Sequence, residues 1–81
     1  MMHHFMTLAD ETEVVYSQII YEKGISKVII NFERPTEEGF DSARCELPDY
    51  NWTNNSGFSD KEIAFFEQLM SDNFNILYLE K

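Results

Sequence analysis

Residues 26–33, Ser-Lys-Val-Ile-Ile-Asn-Phe-Glu, decide the fold, and residues 40–47, Phe-Asp-Ser-Ala-Arg-Cys-Glu-Leu, repeat their pattern. In the first run Val28, Ile30 and Phe32 share one face, while Lys27, Asn31 and Glu33 share the other with Ile29. In the second, Ala43, Cys45 and Leu47 point one way and Ser42, Arg44 and Glu46 the other. A period of two marks a strand with one buried face. Upstream, residues 13–22, Glu-Val-Val-Tyr-Ser-Gln-Ile-Ile-Tyr-Glu, are dense in β-branched and aromatic side chains and read as another strand. Lys23 and Gly24 link these two, with Gly24 supplying the positive φ of a tight hairpin. Residues 34–39, Arg-Pro-Thr-Glu-Glu-Gly, link the next pair. Pro35 cannot donate to a ladder, and Gly39 closes the turn. Three strands with short links make an antiparallel meander.

Pro48 ends the third strand. Residues 48–58, Pro-Asp-Tyr-Asn-Trp-Thr-Asn-Asn-Ser-Gly-Phe, are rich in turn formers and read as a loop. Tyr50, Trp52 and Phe58 are expected to fold back over one end of the core. Ser59-Asp60-Lys61-Glu62 is a capping box: the Ser59 hydroxyl can accept the amide three residues on, and Glu62 can reach back to the amide of Ser59. Asp60 and Glu62 suit the positive end of the helix dipole. Phe58, just before the cap, can staple onto Ile63 or its neighbours. Ile63, Phe66, Met70, Phe74 and Leu77 then keep helical spacing, with Leu69 beside them. Phe74, Ile76 and Tyr78 also alternate, so residues 74–80 have a strand alternative to the favoured helix, kinked or straight. Residues 1–12 lack periodicity and read as a frayed N-terminus. The expected fold is α+β: a single domain over residues 13–81, with a three-stranded antiparallel β-meander and a C-terminal α-helix packed on one face. Val28, Ile30, Phe32, Ala43, Cys45 and Leu47 should meet Ile63, Phe66, Leu69 and Met70.

Composition narrows the function classes. The chain has 81 residues, 15 Asp and Glu against 6 Lys and Arg, and a formal net charge of −9. Aromatics make up 15%, which sets it apart from disordered acidic chains. So small a domain buries a modest share of its surface, which leaves a homodimer open as a source of further burial. Its basic residues are scattered, so direct nucleic-acid binding and attachment to an anionic membrane are not expected. A lone Cys45 excludes an internal disulfide and, with no signal-peptide pattern at Met1, suits a reducing cytoplasm. No apolar run approaches the ~20 residues of a membrane-spanning helix.

Candidate chemistry is sparse. His3 and His4 stand side by side at the N-terminus, where a metal site would need three or four converging ligands. Cys45 has no histidine near it in sequence and falls on the apolar strand face, where a free thiol packs as a small hydrophobe. Glu37, Glu38 and Asp41 cluster in the second turn, but their spacing matches no calcium loop. They read as a solvated acidic turn or as part of an interface. Asp49, Tyr50 and Trp52 lie together in the 48–58 loop, as core lids or as interface anchors. Phe65 lies about 100° round a helix from inward-facing Phe66, so it widens the core stripe or leaves an apolar strip for a partner. No motif for a cofactor is present, and no enzymatic activity is expected.

The stretch from Phe32-Glu33-Arg34-Pro35 through Gly39-Phe40-Asp41-Ser42-Ala43-Arg44-Cys45-Glu46-Leu47-Pro48 runs on to Trp52, then Gly57-Phe58-Ser59-Asp60-Lys61-Glu62-Ile63. It resembles a group of small uncharacterised acidic proteins of gut Firmicutes, often carried on mobile elements. The resemblance covers most of residues 13–80. It implies a bacterial cytosolic accessory protein and attaches a role to no residue. The function expected is that of a non-catalytic accessory protein that binds a protein partner, basic at the contact, or a second copy of itself. Its candidate interface is Tyr50, Trp52, Phe65, Glu37, Glu38, Asp41 and Asp49. The alternative is a small dimeric ligand-binding domain or enzyme whose cleft is lined by the 48–58 loop.

Overall fold

The two alternating runs are the centre of a larger sheet than their spacing suggests. The computed structural model describes residues 2–79, and these are mostly β, with 53% strand and 23% helix. Six antiparallel strands are present: β1 (Met2–Thr7), β2 (Glu13–Ser17), β3 (Ile20–Glu22), β4 (Ile25–Thr36), β5 (Gly39–Leu47) and β6 (Asn51–Ser56). They run in the order β1-β2-β4-β5-β6, with β3 paired to β4 beyond the end of β2. The expected three-stranded meander is thus corrected to a six-stranded sheet.

The extra strands have identifiable causes. β1 arises from the N-terminal segment read as frayed, and it pairs with β2 from Met2↔Ser17 to Thr7↔Glu13. A register shift between His4 and Met6 breaks its alternation, which hides the period of two. The single strand expected over residues 13–22 divides after Ser17. There the Ser17 hydroxyl donates to the Gln18 carbonyl at 2.8 Å and accepts the Ile29 amide at 2.9 Å. β6 falls inside the segment expected to be a loop. It is an edge strand whose members, Trp52 excepted, are exposed, so Asn, Thr and Ser can occupy it.

The turns follow their residues. Lys23 and Gly24 have φ of 52° and 78°, the pair of positive values that a type I′ hairpin needs. β4 runs through Pro35 to Thr36, which pairs with Gly39 across Glu37 and Glu38. The last β2 partner of β4 is Glu33, so no β2 carbonyl lies opposite Pro35 on that edge.

Ser59 caps helix α1 (Asp60–Asp72). The Glu62 amide donates to the Ser59 hydroxyl at 3.2 Å, and the Ser59 amide donates to the Glu62 carboxylate at 2.9 Å. At the other end, the Asn73 side chain donates to the Leu69 carbonyl at 2.8 Å. A π-helical turn, Asn75–Leu79, follows, so residues 74–79 are helical and kinked rather than extended. Residues 80 and 81 lie outside the described part. Tyr78 ties this turn back to the sheet, its hydroxyl donating to the Ser26 carbonyl at 3.1 Å.

The helix covers one face of the sheet. Val28, Ile30, Phe32, Ala43, Cys45 and Leu47 are buried there with Phe66 and Met70. Val14, Phe58 and Leu77 complete the cluster, and Ile63 and Leu69 pack against it half-buried. The Phe66 ring stacks on Phe32 with centroids 4.2 Å apart. Each large apolar side chain so buried contributes about 1.5–3 kcal/mol, which is how so small a core holds.

Candidate functional site

The end of the molecule where α1 begins is organised by Arg34. β4 carries Arg34 to the hairpin tip, and three carboxylates from three segments converge on it. Its Nε and Nη2 donate to Asp41 Oδ2 at 3.0 and 2.7 Å. Nη1 donates to Asp10 at 3.2 Å and also to Glu62. The guanidinium lies over the Phe58 ring, 4.6 Å from its centroid. Glu62, then Asp41, hold Arg34 firmly protonated. In turn Arg34, then the Ser59 amide, pull the Glu62 carboxyl below its ordinary pKa. Gly57 closes the site: its φ is 107°, and a Cβ there would collide with the Asp41 carboxylate.

One cation among three carboxylates leaves the cluster negative, and its surroundings add to the excess. Residues 10–13 bring Asp10, Glu11 and Glu13; residues 33–41 bring Glu33, Glu37, Glu38 and Asp41; the helix start brings Asp60 and Glu62. These nine carboxylates share their segments with only two bases, Arg34 and Lys61. Glu13 and Glu33 stand directly opposite each other on β2 and β4. The other end is milder. Glu22, Glu46, Asp49 and Asp72 are there with Lys23 and Lys27, and Lys27 reaches Glu22 at 2.6 Å and Glu46 at 3.6 Å. The charge is therefore polarised along a domain whose longest extent is 41 Å.

Beside this acidic pole lies an apolar groove of about 340 Å³, formed by Leu8, Ala9 and Asp10 on one wall and Lys61, Glu62, Phe65 and Phe66 on the other. Phe65 is 55% exposed in it. The 8–12 loop is internally braced: the Leu8 amide donates to the Thr12 carbonyl at 2.8 Å, and the Glu11 amide to the Leu8 carbonyl at 2.9 Å.

The residues singled out from sequence do not form one surface. Glu37 and Glu38 are exposed at the hairpin tip, Asp41 is held by Arg34, and Phe65 is close by on α1. Asp49, Tyr50 and Trp52 lie past the far end of β5, whose length separates Asp41 from Leu47 by roughly 20 Å. Tyr50 and Trp52 are turned to the core side. Tyr50 stacks with Phe74 at 6.5 Å, and Phe74 with Tyr78 at 5.2 Å. Trp52 sits 5.7 Å from Phe32, and its indole donates to Glu67 at 2.8 Å. The 48–58 segment, expected to be a loop, is a turn and an edge strand.

Arg34 escaped sequence reasoning, which saw only a turn. The available signal was its isolation: no other Lys or Arg occurs between Lys27 and Arg44, while acids crowd that stretch. Cys45 is fully buried, and burial, then Glu67 and Glu46, push its thiol pKa up to about 12. Among the described residues, no three of His, Cys, Asp and Glu group as a metal site would require. No helix there is long and apolar enough to cross a membrane. Comparison with protein-family models, curated proteins and solved structures finds no match.

Proposed function

We propose that this chain is a non-catalytic acidic binding module whose partner is a protein with a basic contact surface. The observation that carries the reading is the charge polarity: nine carboxylates gathered around Arg34 and Lys61 at one end of the domain. A field focused at one end attracts and orients a cationic partner, and speeds encounter most at low salt. The same field opposes nucleic acid and anionic lipid. Cys45 offers no accessible nucleophile, since it is buried and its burial favours the neutral thiol. A free thiol fits a reducing, cytoplasmic setting.

The test is a salt titration with a Lys/Arg-rich synthetic peptide as probe. Affinity should fall steadily between ~50 and ~500 mM salt, as screening contracts to a few Å. Affinity unchanged across that range contradicts the reading, and so does submicromolar binding of DNA or RNA at physiological salt.

A further inference from the structure

We infer that the groove between the 8–12 loop and the first turns of α1 receives an amphipathic basic segment of the partner, an apolar side chain seating on Phe65 while lysines or arginines face the adjoining carboxylates. The inference rests on the proposed function and locates its contact. Phe65 is the exposed large apolar side chain that adjoins the acidic pole on α1. An exposed aromatic on a groove wall suits an interface anchor. The groove walls carry Asp10 and Glu62 against the single cation Lys61, and Glu11 and Asp60 flank them in sequence, so acids outnumber bases there. Arg34 neutralises only one of the three carboxylates it holds, so the rim stays negative.

Charge chooses among occupants. A second copy of this chain would bring another acidic pole against the first, and like charges in contact disfavour that pairing. An apolar segment without cations would leave the rim uncompensated. A segment with apolar residues on one face and basic residues on the other satisfies both features, in the manner of a helix laid in a groove. The braced 8–12 loop and capped helix hold the walls in place beforehand, which lowers the ordering cost of binding.

Three labelled peptides test this by fluorescence anisotropy at low salt: an amphipathic Leu/Lys helix, a scrambled isomer of identical composition, and a version with Glu for Lys. The amphipathic peptide should bind at least about tenfold more tightly than its isomer, a difference of about 1.4 kcal/mol. Phe65→Ser should erase that advantage and leave the isomer's affinity unchanged. Ala9→Gln, on the opposite wall, should do the same by filling the groove without changing the charge, and it serves if Phe65→Ser does not fold. Equal binding of the two basic peptides, unaffected by either variant, overturns the groove and leaves the charge reading standing. Absence of binding by both basic peptides overturns the proposed function as well. Equal binding of the Glu peptide overturns the choice of a basic occupant. Concentration-dependent dimerisation abolished by Phe65→Ser, seen by sedimentation, assigns the groove to a second copy and overturns the inference.

Discussion

Arg34 and Glu62, 28 positions apart, join the tip of the β4–β5 hairpin to the first turn of α1. Glu62 uses one oxygen to accept from Arg34 and the other to accept from the Ser59 amide. A single carboxylate therefore closes the capping box and fastens the helix to the sheet. The same pair lies at the centre of the acidic pole, and Glu62 also lines the groove, so the fold's anchor shapes the candidate surface.

Replacing Arg34 with methionine removes the shared cation and leaves Asp10, Asp41 and Glu62 facing one another. An exposed pair contributes at most about 1 kcal/mol, but a half-buried cation serving three carboxylates is worth more. Arg34→Met should cost about 1–3 kcal/mol in urea denaturation near neutral pH. Arg34→Lys should recover only part of this, because an ammonium cannot make the forked contact to Asp41. Full recovery by lysine would show that charge alone matters there.

Acid should weaken the domain through Glu62. Its folded pKa is depressed below the ordinary value of 4.5, chiefly by Arg34. A depressed carboxyl contributes stability that is present above its unfolded pKa and is lost as pH falls through the folded value. Stability should therefore decline below about pH 4.5, and the decline should be shallower in Glu62→Gln. Identical pH slopes for both proteins would remove Glu62 from the explanation.

Ser59→Ala deletes the hydroxyl that accepts the Glu62 amide at 3.2 Å. The loss should lie within about 0.5–2 kcal/mol, the range for a helix cap. No change in the denaturation midpoint would mean that Arg34 and Glu62 hold the first turn unaided.

Cys45 should react with a thiol reagent only as fast as the domain opens. The group is 0% exposed and its pKa is raised to about 12, so thiolate is scarce at pH values near 8. A folded pKa above the unfolded one gives stability that is full below the unfolded value, near 9, and is lost as pH rises toward 12. Cys45→Ala should cost about 1–2 kcal/mol through the cavity it leaves. Rapid stoichiometric labelling under native conditions would overturn the buried assignment.

Sequence revealed what repeats and what is chemically distinctive. Val28, Ile30, Phe32, Ala43, Cys45 and Leu47 announced the core face, and Ser59 with Glu62 announced the helix start. β1 and β6 escaped because edge strands need no apolar face. A register shift disrupts the first, and the second buries little beyond Trp52. The candidate surface was legible only in pieces. Glu37, Glu38, Asp41 and Phe65 stood out in the chain, but their meeting at Arg34 depends on contacts between residues as distant as Asp10 and Glu62. Tyr50 and Trp52 are core lids because Phe74, Phe32 and Glu67 engage them, and each of those partners comes from another element.

The polarity itself is the central claim, and matched charge removal at the two ends tests it most directly. Glu37→Gln with Glu38→Gln neutralises two exposed carboxylates at the acidic pole. Asp49→Asn with Asp72→Asn neutralises two at the other end. Both double variants change the net charge from −9 to −7. Binding of the amphipathic basic peptide at ~50 mM salt should weaken several-fold in the first and stay near wild type in the second, because each contact feels charges within about a Debye length. Equal weakening in both would mean that total charge, with no organised acidic pole, governs the interaction.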